Sequence, residues 1–515
     1  MLSVTLGIGD QMVKDALNVL FLSPEVVPFA KSGGLADVAG SLPIALKHLG
    51  LDIRLVLPFY RIIRHGNYEV RPVVKRLEVP LGKKTFKTNV FETLLENGIP
   101  VYLIEREDLY DRPNLYGTPG GDYYDNLERF SFFSHAALRL TEALSFKPQV
   151  VHCHDWQTGL VPALIKGVYG DIPTLSGVTC VFTIHNLGYQ GIFPEEKFPV
   201  TGLPKAEFFH AEGLEYWGQF SLLKAGINYS EAITTVSPTY AKEIQTSEYG
   251  MGMEGILRRR NAWLHGILNG VEYTYWDPSR DPHLPVNYSP MDLTGKARCK
   301  TSLIQKLNLD PSLNKRPLLG MISRLDAQKG LDLLVKNLED VLELDIGLVV
   351  LGSGDEEIQE ALQRAADRYP GQMGLSLGFN EPLAHEIMAA SDIFLIPSRY
   401  EPCGLTQMYA LKYGTVPLVR ATGGLDDTIN PFDAEMETGN GFKFSRYDSK
   451  AFFLSIQKAV GLFQNPKLWK RIMVNGMKAN FSWKRSAQRY LELYRSVLKR
   501  PALEEEKTDI TTLEL

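Results

Sequence analysis

The chain has 515 residues, 44% of them hydrophobic and 22% charged, with a formal net charge of −5. That length exceeds one ordinary core and predicts about two to four domains. The slight acidity leaves no global basic field for nucleic acid or an anionic membrane, no apolar stretch reaches the ~18 residues of a membrane span, and the N-terminus lacks the basic head of a signal peptide.

In chain order, residues 18–23, 53–57, 101–104, 149–153 and 180–184 are short, β-rich apolar runs. Helical segments, 126–145 and 157–169 among them, fall between. Such alternation predicts a parallel sheet covered on both faces. A break is expected near 268–295, where Asn269-Gly270 and several prolines cluster. The alternation then restarts, with strands at 317–322, 346–351, 393–397 and 416–419 and helices at 329–343, 354–368 and 404–412. Two doubly wound α/β domains with a cleft between them are expected, with ligands beyond the carboxyl ends of the strands. The domain reading is 1–268 and 269–483, then a helix at 484–501 packing back on the N-terminal domain and a flexible tail at 502–515. Arg258-Arg259-Arg260 reads as a solvated helix face. Cys153, Cys180, Cys299 and Cys403 have no paired spacing, which predicts reduced thiols in a cytoplasmic protein.

One phrase occurs twice, as Ser32-Gly33-Gly34-Leu35-Ala36-Asp37 and as Thr422-Gly423-Gly424-Leu425-Asp426-Asp427. Each copy follows an apolar run and opens a helix. A glycine pair there exposes N–H groups to an anion, or it is an ordinary strand–helix turn. Lys31 precedes the first copy and supplies a charge beside such donors. Arg324 and Lys329 follow the strand at 317–322 closely; they meet one pyrophosphate or are two solvated charges. No Gly-x-x-x-x-Gly-Lys-Ser/Thr loop is present.

His152 and His154 share a strand face, the start of a zinc site, but no second Cys/His cluster completes it. Asp155 and Trp156 at that strand end suit a sugar, a carboxylate for hydroxyls and an indole for the C–H face. His185 and Asn186 stand at the tip of another strand, before a glycine-rich loop. The densest segment is 398–407, where Glu401 precedes the backbone donors of Gly404, Leu405 and Thr406. Those donors hold a phosphate while the carboxylate addresses the attached group, or Glu401 merely complements a helix dipole.

Together these segments resemble the bacterial glycogen synthases and plant starch synthases, glycosyltransferase family 5. The likeness rests on Lys-Ser-Gly-Gly-Leu-Ala-Asp-Val at 31–38, His-Asp-Trp at 154–156 and Thr-Ile-His-Asn at 183–186. It continues in order through Asn-Gly-Val at 269–271, Ser-Arg-Leu at 323–325, Glu-Pro-Cys-Gly-Leu-Thr-Gln at 401–407 and Thr-Gly-Gly-Leu at 422–425. The resemblance implies a GT-B fold of two Rossmann-like domains closing on a sugar nucleotide. It implies retaining transfer of glucose from ADP-glucose to the non-reducing end of an α-1,4-glucan such as glycogen. Glu401, His185 and Asp155 become catalytic candidates. Lys31, Gly33, Gly34, Asn269, Arg324, Lys329, Phe379, Cys403, Gly404, Leu405, Thr406, Gly423 and Gly424 become donor-binding candidates. Phe379 stacks on the adenine in this reading, and Tyr123, Tyr124, Trp156 and Tyr189 line the acceptor. Many retaining relatives carry a second glutamate eight positions after the first; Tyr409 stands there instead. That departure lowers the expectation of a UDP-sugar donor. The 17 residues before Asn18 extend beyond the family's usual start.

No metal or other cofactor is expected. Lys31, Arg324, Lys329 and helix N-termini supply the charge that a divalent ion supplies in other glycosyltransferases. Two readings compete: a related retaining transferase with another nucleotide sugar and a small acceptor, and an inactive glucan-binding scaffold.

Overall fold

The computed structural model describes residues 16–118 and 120–499. The stretch before Ala16 and the predicted tail at 502–515 lie outside the described residues. The chain divides into two compact units. One runs to Thr234 and includes Ile256–Leu264 and the residues from Ser486 on; the other comprises Thr235–Gly255 and His265–Arg485.

In the first unit, strand Asn18–Leu22 lies between Asp52–Pro58 and Val150–His154, all parallel. Thr179–Ile184 continues the sheet on one side and Ile99–Ile104 on the other. Both faces of Val150–His154 and Thr179–Ile184 are buried, which is why these segments read as continuous apolar runs. The chain order reverses at Asn18–Leu22. The crevice beyond that strand and Val150–His154 is therefore the unit's switch point, and the Lys31 loop and Asp155 leave from these two ends.

Four features of this unit depart from the sequence reading. An antiparallel hairpin, Arg71–Leu81 and Lys84–Leu95, extends the sheet beyond Ile99–Ile104. Its outer strand is largely exposed and shifts register between Pro72 and Leu77, so no apolar run marks it. A small antiparallel sheet joins Ile192–Pro194, Gln219–Ser221 and Glu215–Tyr216. The helix expected at 157–169 is a 3-10 turn, a short α-helix over Leu160–Leu164 and a π turn over Ile165–Tyr169. Arg260 does not stay on a solvated face; it is half-buried and donates to the Ser230 carbonyl.

In the second unit six parallel strands stand in the order Met373–Leu377, Gly347–Gly352, Leu318–Ile322, Ile393–Ile396, Val416–Arg420, Phe442–Phe444. Numbered by chain position this is the 3-2-1-4-5-6 order of a dinucleotide-binding sheet. Leu319, Met321, Leu348 and Val350 pack into one core layer, and Leu318, Val349 and Leu351 into the other. The helix expected at 329–343 breaks at Asn337, whose side chain bonds the Leu333 carbonyl instead of continuing the ladder. The switch point lies between Leu318–Ile322 and Ile393–Ile396, and from those two ends emerge Arg324 and Glu401.

Candidate active site

At the second unit's switch point, Lys329 Nζ donates to Glu401 Oε2 at 2.7 Å, and Ser398 Oγ donates to the same oxygen at 2.9 Å. Glu401 is buried. Two loops bring these residues together. Asp326 caps the 3-10 turn Ala327–Lys329 by accepting the Lys329 N–H, and it pairs with Arg324 at 3.1 Å. Gly330 then turns back with φ +76°, and a Cβ there would meet the Pro397 carbonyl oxygen at 2.1 Å. Only glycine lets the two loops approach so closely. Arg324 remains 60% exposed, with Gln328 at 3.3 Å, so its guanidinium stays available at the rim.

The turn behind Glu401 is tightly built. Gly404 has φ +70°, Leu405 forms the N-cap, and the helix runs Thr406–Lys412. Cys403 is buried, and burial pushes its thiol up to about 12, so it packs rather than reacts. Asn269 is buried, and its Oδ1 meets no donor among the described residues. An orphaned acceptor of that kind is costly unless something else supplies the donor. Phe379, just past Met373–Leu377 and after Gly378, is 90% exposed.

At the first unit's switch point the side chains are aimed differently from the sequence expectation. Asp155 has φ +55° and turns its carboxylate onto the chain, accepting the His185 N–H at 2.7 Å. Burial raises its carboxyl to about 7, while the N–H groups of His185 and Asn186 pull it back. Asp155 thus positions the His185–Asn186 loop. His185 itself is buried against His154, Nε2 to Nδ1 at 2.9 Å. Its neighbour His152 holds Thr183 Oγ1 at 2.7 Å and, from the other nitrogen, the Tyr494 hydroxyl at 2.7 Å. These partners leave His152 no free nitrogen for a metal. Among the described residues no group of three or more His, Cys, Asp or Glu side chains could hold one. The His154–His185 bond has a sequence signal, since both strands end in the same place, but the pairing follows from the sheet register.

Burial lowers His152 and His185 to about 3 and His135 to about 4, and holds His154 well below its usual range. All four are neutral at pH 7, so His185 can bond a hydroxyl but carries no charge. In the unfolded chain each imidazole takes up a proton near pH 6.5. Unfolding therefore binds protons below that pH, and stability is lost as pH falls from about 6.5 towards 4. Asp155, raised when folded, opposes this by one proton, since its contribution is lost as pH rises from about 4 through 7. The first unit should lose roughly 4 kcal/mol per pH unit near pH 5, for about three protons net. Urea midpoints from pH 7 to 4.5 would read this; a flat profile contradicts buried neutral histidines.

The two glycine phrases prove unlike. In the first, Glu25 accepts from Ser32 N–H, from Ser32 Oγ and from Gly33 N–H, and also from the Tyr116 hydroxyl. In the second, Glu243 accepts from Gly423 N–H at 3.1 Å and from Thr422 Oγ, while Gly424 N–H donates to the Glu401 and Pro402 carbonyls. The expectation of bare glycine donors is corrected at Gly33, Gly423 and Gly424: a carboxylate or carbonyl already holds each. Glu25 and Glu243 were missed; only Glu25, a carboxylate near a helix start, offered a sequence cue. A Cβ on Gly423 or Gly424 would strike the Glu401 or Cys403 carbonyl oxygen at 2.0 Å, whereas Gly33 and Gly34 face open space. Neither packing nor φ within the chain demands glycine at 33. Gly33→Ala should leave the melting temperature within a degree or two and raise the donor KM, while Gly424→Ala should fold poorly. Equal loss of stability in both variants would contradict this contrast.

Lys31 pairs with Asp37 at 2.8 Å and is 54% exposed. Trp156 is only 6% exposed, edge-on to Phe130 and tilted on Phe193, so it belongs to the core. Arg112 and Arg129 sit over the Tyr123 ring at 4.7 and 5.0 Å. Tyr124 and Tyr189 are 85% and 55% exposed. All four cysteines are buried and unpaired.

Residues 18–259 match the starch synthase catalytic domain family, and residues 306–472 match glycosyl transferases group 1. The chain is 46% identical over 482 residues to a glycogen synthase of Anaeromyxobacter sp. (strain Fw109-5), covering 93% of this chain and 99% of that protein. It is 44% identical over 483 residues to a glycogen synthase of Syntrophotalea carbinolica, covering 94% and 99%. Its structure is similar to the catalytic domain of starch synthase IV from Arabidopsis thaliana bound to ADP and acarbose. That match has a TM-score of 0.87 at 34% identity and covers 94% of this chain and 100% of that one. No helix among the described residues is long and apolar enough to cross a membrane. Two doubly wound units, with ionic and polar side chains gathered at each switch point and relatives matched nearly end to end, place the chain in the glycogen and starch synthase family of GT-B glycosyltransferases.

Proposed function

We propose that the protein transfers glucose from ADP-glucose to the non-reducing end of an α-1,4-glucan with retained anomeric configuration. The observation that carries this reading is the Lys329–Glu401 pair at a dinucleotide-type switch point, with Arg324 at its rim. Negative charge builds on the departing diphosphate as the glycosidic bond breaks. Cations already fixed at that place stabilise the transition state more than the ground state. Lys329 and Arg324 take this role, and Glu401 bonds the sugar hydroxyls and supports the positive charge developing at the anomeric carbon. The helix start after Gly404, with Leu405 and Thr406, offers N–H donors to the same phosphates.

Phe379, exposed at the strand end, stacks on the adenine, and Asn269 Oδ1 accepts a donor from the ligand. From the first unit, Lys31 and the open face of Gly33 and Gly34 meet the donor. A neutral His185, held by His154, bonds a glucose hydroxyl. Tyr124 and Tyr189 are exposed enough to receive the acceptor. The ADP and acarbose in the Arabidopsis relative are a nucleoside diphosphate and a glucan-like oligosaccharide, the two classes this reading requires. Nucleoside diphosphate release from ADP-glucose and UDP-glucose, each with and without glycogen, tests the proposal. Release of ADP that depends on glycogen is expected; preference for UDP-glucose or for a small acceptor would overturn it.

A further inference from the structure

The small sheet of the first unit ends in a two-residue turn, Trp217-Gly218, with φ +53° and +76°. Turns of this hand favour Asn, Asp or Gly because both central residues lie in the left-handed region. A tryptophan there is strained, and this one is also 84% exposed. The position therefore carries a side chain that neither the backbone nor the core calls for.

Its surroundings fit one chemistry. Phe193 and Phe220 turn inward from the sheet and pack on each other, with Phe193 reaching Trp156. On the alternate face Pro194, Gln219 and Tyr216 stand in one row across the strands, with Ile192 39% exposed beside them. The chain leaving Pro194 carries Lys197, whose Nζ donates to the Tyr124 carbonyl and so ties a second, 85% exposed ring to this region. At the tip the Glu215 carboxylate accepts the Gly218 N–H, and the Lys224 ammonium is spent on the Ala211 and Glu215 carbonyls, so the charge left there is a carboxylate. Aromatic faces with an amide between them suit a neutral polyhydroxylated chain, whose hydroxyls a neighbouring carboxylate also accepts. Pyranose C–H groups lie on the rings, and hydroxyls bond the amide. They do not suit a nucleic acid or an anionic membrane.

We propose that the Trp217 hairpin and the outer face of this small sheet form a second glucan-binding site, holding a polymer chain away from the reacting end. This rests on the glucan-acceptor reading, and binding is measured without turnover so that the two can fail separately. Native electrophoresis through glycogen gels gives the affinity of the full chain and of Trp217→Ala and Trp217→Gly. The glycine variant relieves the turn and keeps the test valid if alanine folds poorly. Both variants should bind glycogen at least threefold more weakly and show a comparably raised glycogen KM. Turnover with maltotriose should be unchanged, and Trp217→Tyr should restore binding. Unaltered retardation in the glycine variant, loss of maltotriose turnover, or a Trp217-dependent dimer in sedimentation would each overturn the proposal.

Discussion

Glu401→Gln should lower kcat for glucose transfer by roughly 10²–10³-fold while the affinity for ADP stays within about threefold. The substitution preserves shape and can still accept the Ser398 hydroxyl, so the buried corner remains filled. What it removes is the negative charge beside Lys329, the charge proposed to face the sugar. That charge matters most when the anomeric centre becomes cationic, so the loss falls on kcat rather than on nucleotide binding. Steady-state kinetics with ADP-glucose and calorimetry with ADP separate the two. A variant with unaltered kcat would reduce Glu401 to a partner that merely holds Lys329 in place.

Lys329→Met should be at least as damaging, with kcat/KM for the donor reduced by roughly 10²–10⁴-fold. The reason is again charge at the leaving group, but here part of the interaction already exists in the bound ground state, so KM rises as well. The ion pair is mostly buried, with side-chain exposures of 21% and 10%, so removing the lysine also leaves a carboxylate without its cation. The double variant Lys329→Met with Glu401→Gln resolves this. Residues in direct contact couple by about 0.5–3 kcal/mol. The pair should therefore lose less than the product of the single losses in activity and recover much of the stability lost by Lys329→Met alone. Additive kinetic losses would mean that the two side chains act separately.

Much of this site was legible in the sequence because its parts stand at strand ends. Ile322-Ser323-Arg324 and Ile396-Pro397-Ser398 follow apolar runs whose buried, parallel character is written in their composition. Once both are strands of a doubly wound sheet, the loops after them meet at the switch point, and Lys329 and Glu401 can pair. What the sequence hid were partners whose meeting depends on register and on side-chain direction. Asp155 read as a sugar ligand because a carboxylate at a strand end faces a crevice; its positive φ turns it onto the His185 backbone instead. Glu25 and Glu243 fill the glycine turns, and no local pattern tells a glutamate that caps a helix start from one that is solvated. For Glu243 the cue is absent altogether, since it lies 180 residues from Gly423. The hairpin at 71–95 was missed because its outer strand is largely exposed and shifts register, whereas the core strands are uniformly buried.

The repeated Gly-Gly-Leu phrase shows the same limit at finer scale. In sequence the two copies are nearly interchangeable. In the structure the second is packed against the carbonyls of Glu401 and Cys403 and the first looks onto open space. Identical letters serve a packed floor in one unit and an approachable edge in the other, and only the surrounding backbone distinguishes them.

The central claim, glucosyl transfer to the outer end of a glucan, is tested most directly by where the glucose goes. Protein incubated with ADP-glucose labelled in the sugar and with glycogen should yield labelled polymer. An exo-acting amylase that cuts α-1,4 bonds from non-reducing ends should then release the label in its first products. Label left in the limit dextrin, or recovered as free glucose whether or not glycogen is present, would contradict the account.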